Sequence, residues 1–236
     1  MKTVIVFKPF LVQQIRNGIK TETRRIMSPQ PVLAESKLPP LPCDLMEYGK
    51  GLKRMSTLGF QKLGTGGKMA GLLYPEMPFG DVGSILGLIE DHRVVDFDSQ
   101  TATVEFRDGE IITVDIAGND RIINSLERRH TIGRWLPPRF MFREFCRDQI
   151  VITASNPEQL GDINEDSAIA EGVERDVLGG WKNYTDPSRP VDSARESFLT
   201  LWDFIHGENA AIQNPYIWAI SFQPTSSFNP YHDKSN

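Results

Sequence analysis

The stretch from Lys8 to Arg25 constrains the chain most, because a short helix, a forced stop and a cationic strand follow one another there. Phe10, Leu11, Ile15 and, less regularly, Val12 recur near helical spacing, which predicts a short amphipathic helix over residues 9–17. Pro9 suits the first helical turn, and Asn17-Gly18 supplies a left-handed stop. Thr21-Glu22-Thr23-Arg24-Arg25 then alternates in a way that suits entry into a sheet. Three cations (Lys20, Arg24 and Arg25) and two hydroxyls (Thr21 and Thr23) are delivered just past a tight turn, a sensible way to hold an anion or a polar heterocycle.

At 236 residues, the chain is expected to form one large domain, or a small domain with sizeable insertions, and it can bury a core without staples. No apolar run is long enough to span a membrane. Met1–Phe7 has too short an apolar segment for a signal peptide and reads as a first strand. The two cysteines, Cys43 and Cys146, lie far apart in no metal-like spacing, so a reduced cytoplasmic protein is expected. His92, His130, His206 and His232 are isolated, and neither a metal site nor a cofactor is expected. Gly64–Lys68 invites a phosphate-loop reading, but Lys62 and Met69 stand where that loop needs Gly and Ser or Thr. No nucleophile elbow of the Gly-x-Ser-x-Gly kind appears. The net charge of −5 argues against a general nucleic-acid coat. Between Arg121 and Arg147, however, seven arginines face only Glu127 and Glu144. Such local basic surface fits a small, specific contact better than broad phosphate tracking, unless the arginines are solvated or paired within the fold.

From Ser28 to about Gly83 no regular pattern holds: five prolines between Pro29 and Pro42 precede nine glycines between Gly49 and Gly83. A long insertion or lid at about 28–83 is expected. Ser84–Glu90 has strand length and apolarity, and Thr103–Phe106 with Ile111–Val114 is the plainest hairpin, turning at Asp108-Gly109. Residues 121–130 suggest a short basic helix, and Gln149–Thr153 a strand. Asn164 is a natural N-cap for a helix of about two turns, with Glu165 and Asp166 at its positive end. Ser193–His206 is an amphipathic helix with Phe198, Leu201, Trp202 and Ile205 on one face. Asn214–Phe222 reads as a last strand, and the tail at 225–236 is expected to be disordered.

Gly18-x-Lys20-x-x-x-x-Arg25 matches the signature of the ASCH domain, a member of the PUA-like superfamily, and Asn17–Arg25 resembles its phage and prophage version. Ile163–Val173 and Asn214–Phe222 resemble two further elements of that group, and Pro138-Arg139-Phe140 is similar to a third. Gly83, Leu86 and Glu90 fit the family's turn into a strand, while Ser84 and Ile89 depart from it at two polar positions. The resemblance covers both ends of the chain and little of residues 30–130. It implies an α+β fold, a PUA-like small mixed β-barrel flanked by short helices with long loop insertions, as a single domain over 1–224. It also implies a protein of the cytoplasm (the host's, if phage-encoded) that binds nucleic acid or a modified nucleotide, with no membrane partner.

Small bacterial ASCH proteins with this motif are amidohydrolases acting on N4-acetylcytidine, and their working residues fall on Lys20, Thr23 and Glu171. A lysine desolvated beside a second cation can act as a base, Thr23 as nucleophile or water-orienting group, and Glu171 as proton shuttle. Lys20, Thr21, Arg24, Arg25, Glu90, Trp135 and Arg139 form the expected ligand or nucleic-acid contacts, Trp135 by stacking on a base. Each has a structural alternative. Lys20 and Arg24 would be solvated turn cations, Arg25 would pair with Glu90 or Glu171, Thr23 would be an ordinary strand residue, Glu171 a helix cap, and Trp135 a packing residue. A non-enzymatic phage assembly or host-interaction factor, with the motif purely structural, is the third function class.

Overall fold

The computed structural model describes residues 3–36, 57–63, 68–73, 75–129 and 132–225. The elements in chain order are β1 (Val4–Val6), α1 (Pro9–Arg16), β2 (Glu22–Ile26), β3 (Val32–Ser36), β4 (Thr57–Leu63), β5 (Lys68–Leu73), β6 (Ile85–Ile89), β7 (His92–Phe97), β8 (Thr101–Phe106), β9 (Ile111–Asp115), α2 (Asp120–Arg129), β10 (Gln149–Gln159), α3 (Glu165–Ala170), α4 (Ala194–His206) and β11 (Tyr216–Pro224). The class is α+β. Two compact units share the chain. The first gathers Met1–Lys20, Phe79–Thr153 and Phe222–Asn236, and the second Thr21–Pro78 with Ala154–Ser221.

In the first unit β1 runs parallel to β6, Val4 opposite Gly87, and β10 is antiparallel on the other side of β6, Gln149 opposite Gly87. Gly87 is needed where β6 passes the buried Cys146, since a Cβ there would sit 2.7 Å from the thiol sulfur. Ile150 and Ile152 of β10 and Leu86 and Leu88 of β6 are fully buried, as a central strand pair requires. Antiparallel β7, β8 and β9 form a second sheet. Alternation in β8 buries Ala102, Val104 and Phe106, and these pack with Val94, Val114, Ile122 and Leu126 of α2, and Phe145. Gly109, at φ 86°, makes the β8–β9 turn that Asp108-Gly109 predicts.

A charge cluster ties these pieces together. The Arg147 guanidinium, 6% exposed, donates to both Glu90 oxygens at 3.1 and 3.0 Å and to both Asp108 oxygens at 3.0 and 2.9 Å, and also reaches Glu110. Its carbon lies 3.8 Å from the centre of the Phe106 ring. Arg16, at the end of α1, donates to Asp148 at 2.9 Å and to Asp108 at 3.0 Å. The end of β6, the hairpin turn, the last turn of α1 and the start of β10 are therefore held by two guanidinium groups.

In the second unit β2 pairs antiparallel with β11, Glu22 opposite Ser221 and Ile26 opposite Ile217. The Leu160 N–H, just past β10, donates to Pro215 O at 3.0 Å, ahead of β11. Asn164 caps α3 by accepting from the Ser167 N–H at 2.8 Å, and Ser193 caps α4 by accepting from the Glu196 N–H at 3.1 Å. Glu165 of α3 also accepts from the first N–H groups of α4, those of Ala194 at 2.6 Å and Arg195 at 3.0 Å. A carboxylate on a helix N-terminus fixes the two helices together. Phe198, Leu201 and Trp202 are buried as the α4 periodicity predicts, whereas Ile205 stays 37% exposed near the helix end. Trp202 and Trp218 are both core residues.

Two expectations are corrected. The sheets are not closed into a barrel: the strand orders are linear, and β1, three residues long, offers too short a ladder for closure. Within the 28–83 stretch the described residues form β3, β5 and β4, paired antiparallel in that order, where no regular pattern is legible. Strand β7 is also absent from the sequence reading, because its charged and apolar residues carry no turn signal in front of them. Residues 37–56 and 64–67 of the expected 28–83 insertion, and the tail from Ser226, lie outside the described residues.

The cluster gives the fold an acid-sensitive point. Burial raises the Asp108 carboxyl, but hydrogen bonds from Arg147, the Glu110 amide and Arg16 outweigh it and bring it to about 2. A depressed carboxylate stabilises the fold above its unfolded value near 3.9, and that stabilisation is lost as pH falls through 4 towards 2. Thermal melts of wild type and Asp108→Asn should therefore differ most at neutral pH and converge between pH 4 and 2. A gap that stays constant with pH would remove Asp108 from this role.

Candidate functional site

Strand alternation sorts the cationic motif into two faces. Glu22 and Arg24 point one way from β2, and Thr23 and Arg25 the other. Arg24 is buried. Its Nε donates to Glu158 Oε1 at 2.8 Å, and its Nη1 to Glu22 Oε2 at 3.2 Å and Glu171 Oε1 at 3.3 Å. The same guanidinium lies 5.6 Å from the centre of the Phe198 ring on α4. Burial by itself would depress the Arg24 pKa, and the charges of Glu171, Glu158 and Glu22 together raise it. Burial in turn pushes the Glu158 carboxyl up, against the pull of Arg24.

Arg25 has a different environment. It keeps some surface exposure, yet burial around its guanidinium lowers its pKa to about 10, with Glu171 opposing the shift. The group is still a cation at neutral pH, held where its charge is poorly solvated. On α4, His206 packs against Trp202 with ring centres 4.2 Å apart. Burial first, and then the positive charge of Arg25, lower the His206 pKa, which favours the neutral imidazole. Glu171 closes the end of α3, its N–H donating to Ser167 O at 3.0 Å, and is 4% exposed. The neighbouring Ala170 carbonyl accepts from the Thr21 N–H at 2.8 Å, which ties the entry to β2 onto α3.

The second unit thus brings together Thr21, Thr23, Arg24, Arg25 and Glu171 of the expected residues. Thr23 is buried opposite Ile220 of β11. Lys20 ends the first unit. It is 1% exposed, its N–H donates to Gln14 O at 3.1 Å and its ammonium lies 5.6 Å from the Phe7 ring centre. Burial overturns the solvated-cation alternative for both Lys20 and Arg24. Of the two partners considered for Arg25, Glu90 is engaged by Arg147 and Arg16 in the first unit, and Glu171 is the acid acting on Arg25. Trp135, half-buried, and Arg139, exposed, belong to the first unit.

Two acids of the site are missing from the sequence reading. Glu22 carried a usable signal, since a strand residue two positions from Arg24 shares its face. Glu158 carried none, because it meets Arg24 only through the pairing of distant strands. Among the described residues no group of three or more His, Cys, Asp or Glu is arranged to hold a metal ion. Chemically, the arrangement leaves one neutralised arginine, one desolvated arginine beside a shared carboxylate, and aromatic rings on α4. Compared with known proteins, the chain matches no family model, no curated protein and no solved structure.

Removing Arg24 leaves Glu171 and Glu158 facing each other's field without their cation. Arg24→Ala should cost about 3–5 kcal/mol in urea unfolding, the usual penalty for breaking a buried pair. Adding Glu171→Gln to Arg24→Ala should recover part of that loss, and no recovery would show that the uncompensated charge is not its origin.

Proposed function

We propose that this chain binds nucleic acid or a modified nucleotide through a basic pocket of ASCH type, in a PUA-like arrangement of its strands and helices. The observation that carries the reading is Arg25, a cation that burial lowers to about 10 even against the opposing charge of Glu171. A phosphate or a heterocycle carbonyl accepting from that guanidinium would replace part of the solvation that burial has removed. Arg24, by contrast, holds Glu171 in place. His206 on α4, within reach of the charge of Arg25, supplies a neutral hydrogen-bonding ring. Thr21 and Thr23 would complete the polar contacts suggested by the motif.

Hydrolysis of an acylated cytosine such as N4-acetylcytidine is the second reading. Its support is burial: Lys20 is 1% exposed, Thr23 4% and Glu171 4%, which is unusual for three polar residues without a functional or strongly compensated role. The resemblance assigns the steps: Lys20, as the free amine, takes a proton from a water that Thr23 orients while the water oxygen attacks the acyl carbonyl. That proton passes by way of Glu171 to N4 as the amide C–N bond breaks, so that acetate and cytidine leave.

Both readings are tested with purified protein, cytidine, its 5′-monophosphate and N4-acetylcytidine. Binding predicts that at least one raises the melting temperature of wild type, and that Arg25→Ala abolishes the rise. Hydrolysis predicts conversion of N4-acetylcytidine to cytidine, lost in Lys20→Ala. If no nucleotide shifts wild type and Arg25→Ala merely lowers its melting temperature, the motif is structural and both readings fail.

A further inference from the structure

The first unit carries a second arginine-rich surface, made by residues outside the β2 motif. Arg93 on β7 stands opposite Glu105 on β8 and bonds it at 2.8 Å. Arg107 follows two residues after Glu105, and Asp91 precedes β7. The inward face of this strand pair is the core built on Val94, Val104 and Phe106. Across the outward face lies Trp135, fixed because its neighbour Leu136 exchanges both backbone hydrogen bonds with His92, at 3.1 and 2.7 Å. The Arg107 guanidinium is 4.0 Å from the Trp135 ring centre and that of Arg93 is 5.0 Å.

The state of these cations is informative. Arg107 is about half exposed, and the acid it meets among the described residues, Asp91, is 3.7 Å away, too far for a good hydrogen bond. Among the described residues Arg134 and Arg139 are exposed and have no carboxylate within salt-bridge distance. The Arg139 guanidinium lies 4.8 Å from the centre of the Phe140 ring, itself 39% exposed. Arg107 and Arg139 are laid on rings, Arg107 with only a long contact to Asp91, and Arg134 is exposed, so these three keep donors for an outside acceptor.

We infer that the β7–β8 face around Trp135 is a contact surface for single-stranded nucleic acid. Bases stack on the Trp135 ring and on the Arg107 guanidinium plane, and phosphates accept from Arg107, Arg134 and Arg139. Unpaired strands are required, because only splayed bases can reach a flat ring and cation. The inference takes its class of partner from the reading proposed above, and rests on different residues.

The test is fluorescence anisotropy of a labelled twelve-nucleotide oligo-U RNA and an oligo-dT DNA at low salt, with unlabelled polyglutamate as competitor. Trp135→Ala is expected to weaken binding roughly five- to a hundredfold, the usual loss per stacked base. Arg107→Ala, a surface change that leaves the core alone, should weaken it and flatten the salt dependence by roughly one phosphate contact. Arg25→Ala, run alongside, separates the two sites: retained oligonucleotide binding with lost nucleotide binding supports this surface independently. The inference is overturned if wild type binds neither oligonucleotide. It is equally overturned if Arg107→Ala and Trp135→Ala bind as wild type does. Displacement by polyglutamate as readily as by oligonucleotide would also overturn it, and would reassign the face to an acidic polypeptide.

Discussion

Both units depend on one interaction, a guanidinium buried among carboxylates supplied by distant parts of the chain. Arg147 joins Glu90 at the end of β6 to Asp108 and Glu110 around the hairpin turn. Arg24 joins Glu22 on its own strand to Glu158 at the end of β10 and Glu171 at the end of α3. A buried arginine is costly unless its planar fork is filled, and here each fork is filled by more than one acid. Such a cluster acts as a register device. A strand or turn displaced by one residue would leave both a cation and a carboxylate desolvated without a partner.

That device explains how adjacent arginines acquire different duties. Arg24 faces Glu22, Glu158 and Glu171 and has its pKa raised, while Arg25, on the other side of the same strand, has its pKa lowered by burial in spite of the charge of Glu171. Alternation along the strand is what separates them. Glu171 links the two faces, since it contacts Arg24 directly and acts on Arg25 through its charge. The electrostatic surroundings of Arg25 are therefore set by a residue whose position is fixed by the neighbouring arginine. It is also set by the cap that ends α3, because that cap places Glu171.

Local features of the fold were legible in the sequence wherever the deciding forces are local. The stop after α1 needs a left-handed residue and Gly18 provides one at φ 70°; the α3 cap needs a short polar acceptor and Asn164 provides it. The hairpin turn and the buried face of α4 follow from turn chemistry and helical spacing in the same way. Pairings between distant segments were not legible. Nothing near Arg24 announces Glu158, and nothing near Glu90 announces Arg147. Strands β4 and β5 were hidden by glycines that break periodicity without preventing ladder formation, and β3 by the prolines on either side of it. Of the site, the motif residues were visible as types at a spacing, while their burial and the acids that complete them depend on tertiary packing.

Net charge was the weakest guide, for a reason the clusters make plain. The seven arginines between Arg121 and Arg147 look like one basic segment, yet Arg147 is neutralised several times over by Glu90, Asp108 and Glu110. Others in the same segment rest on aromatic rings, Arg139 on Phe140 and Arg121 on Phe142, and Arg107 from the preceding hairpin rests on Trp135. An arginine fixed by carboxylates contributes almost nothing to the outside field, whereas one parked on a ring keeps its full charge and its donors. The partition between these two states decides where an acidic chain presents positive surface. It is fixed by which acids the fold brings within reach, so an overall charge of −5 is compatible with a concentrated cationic face.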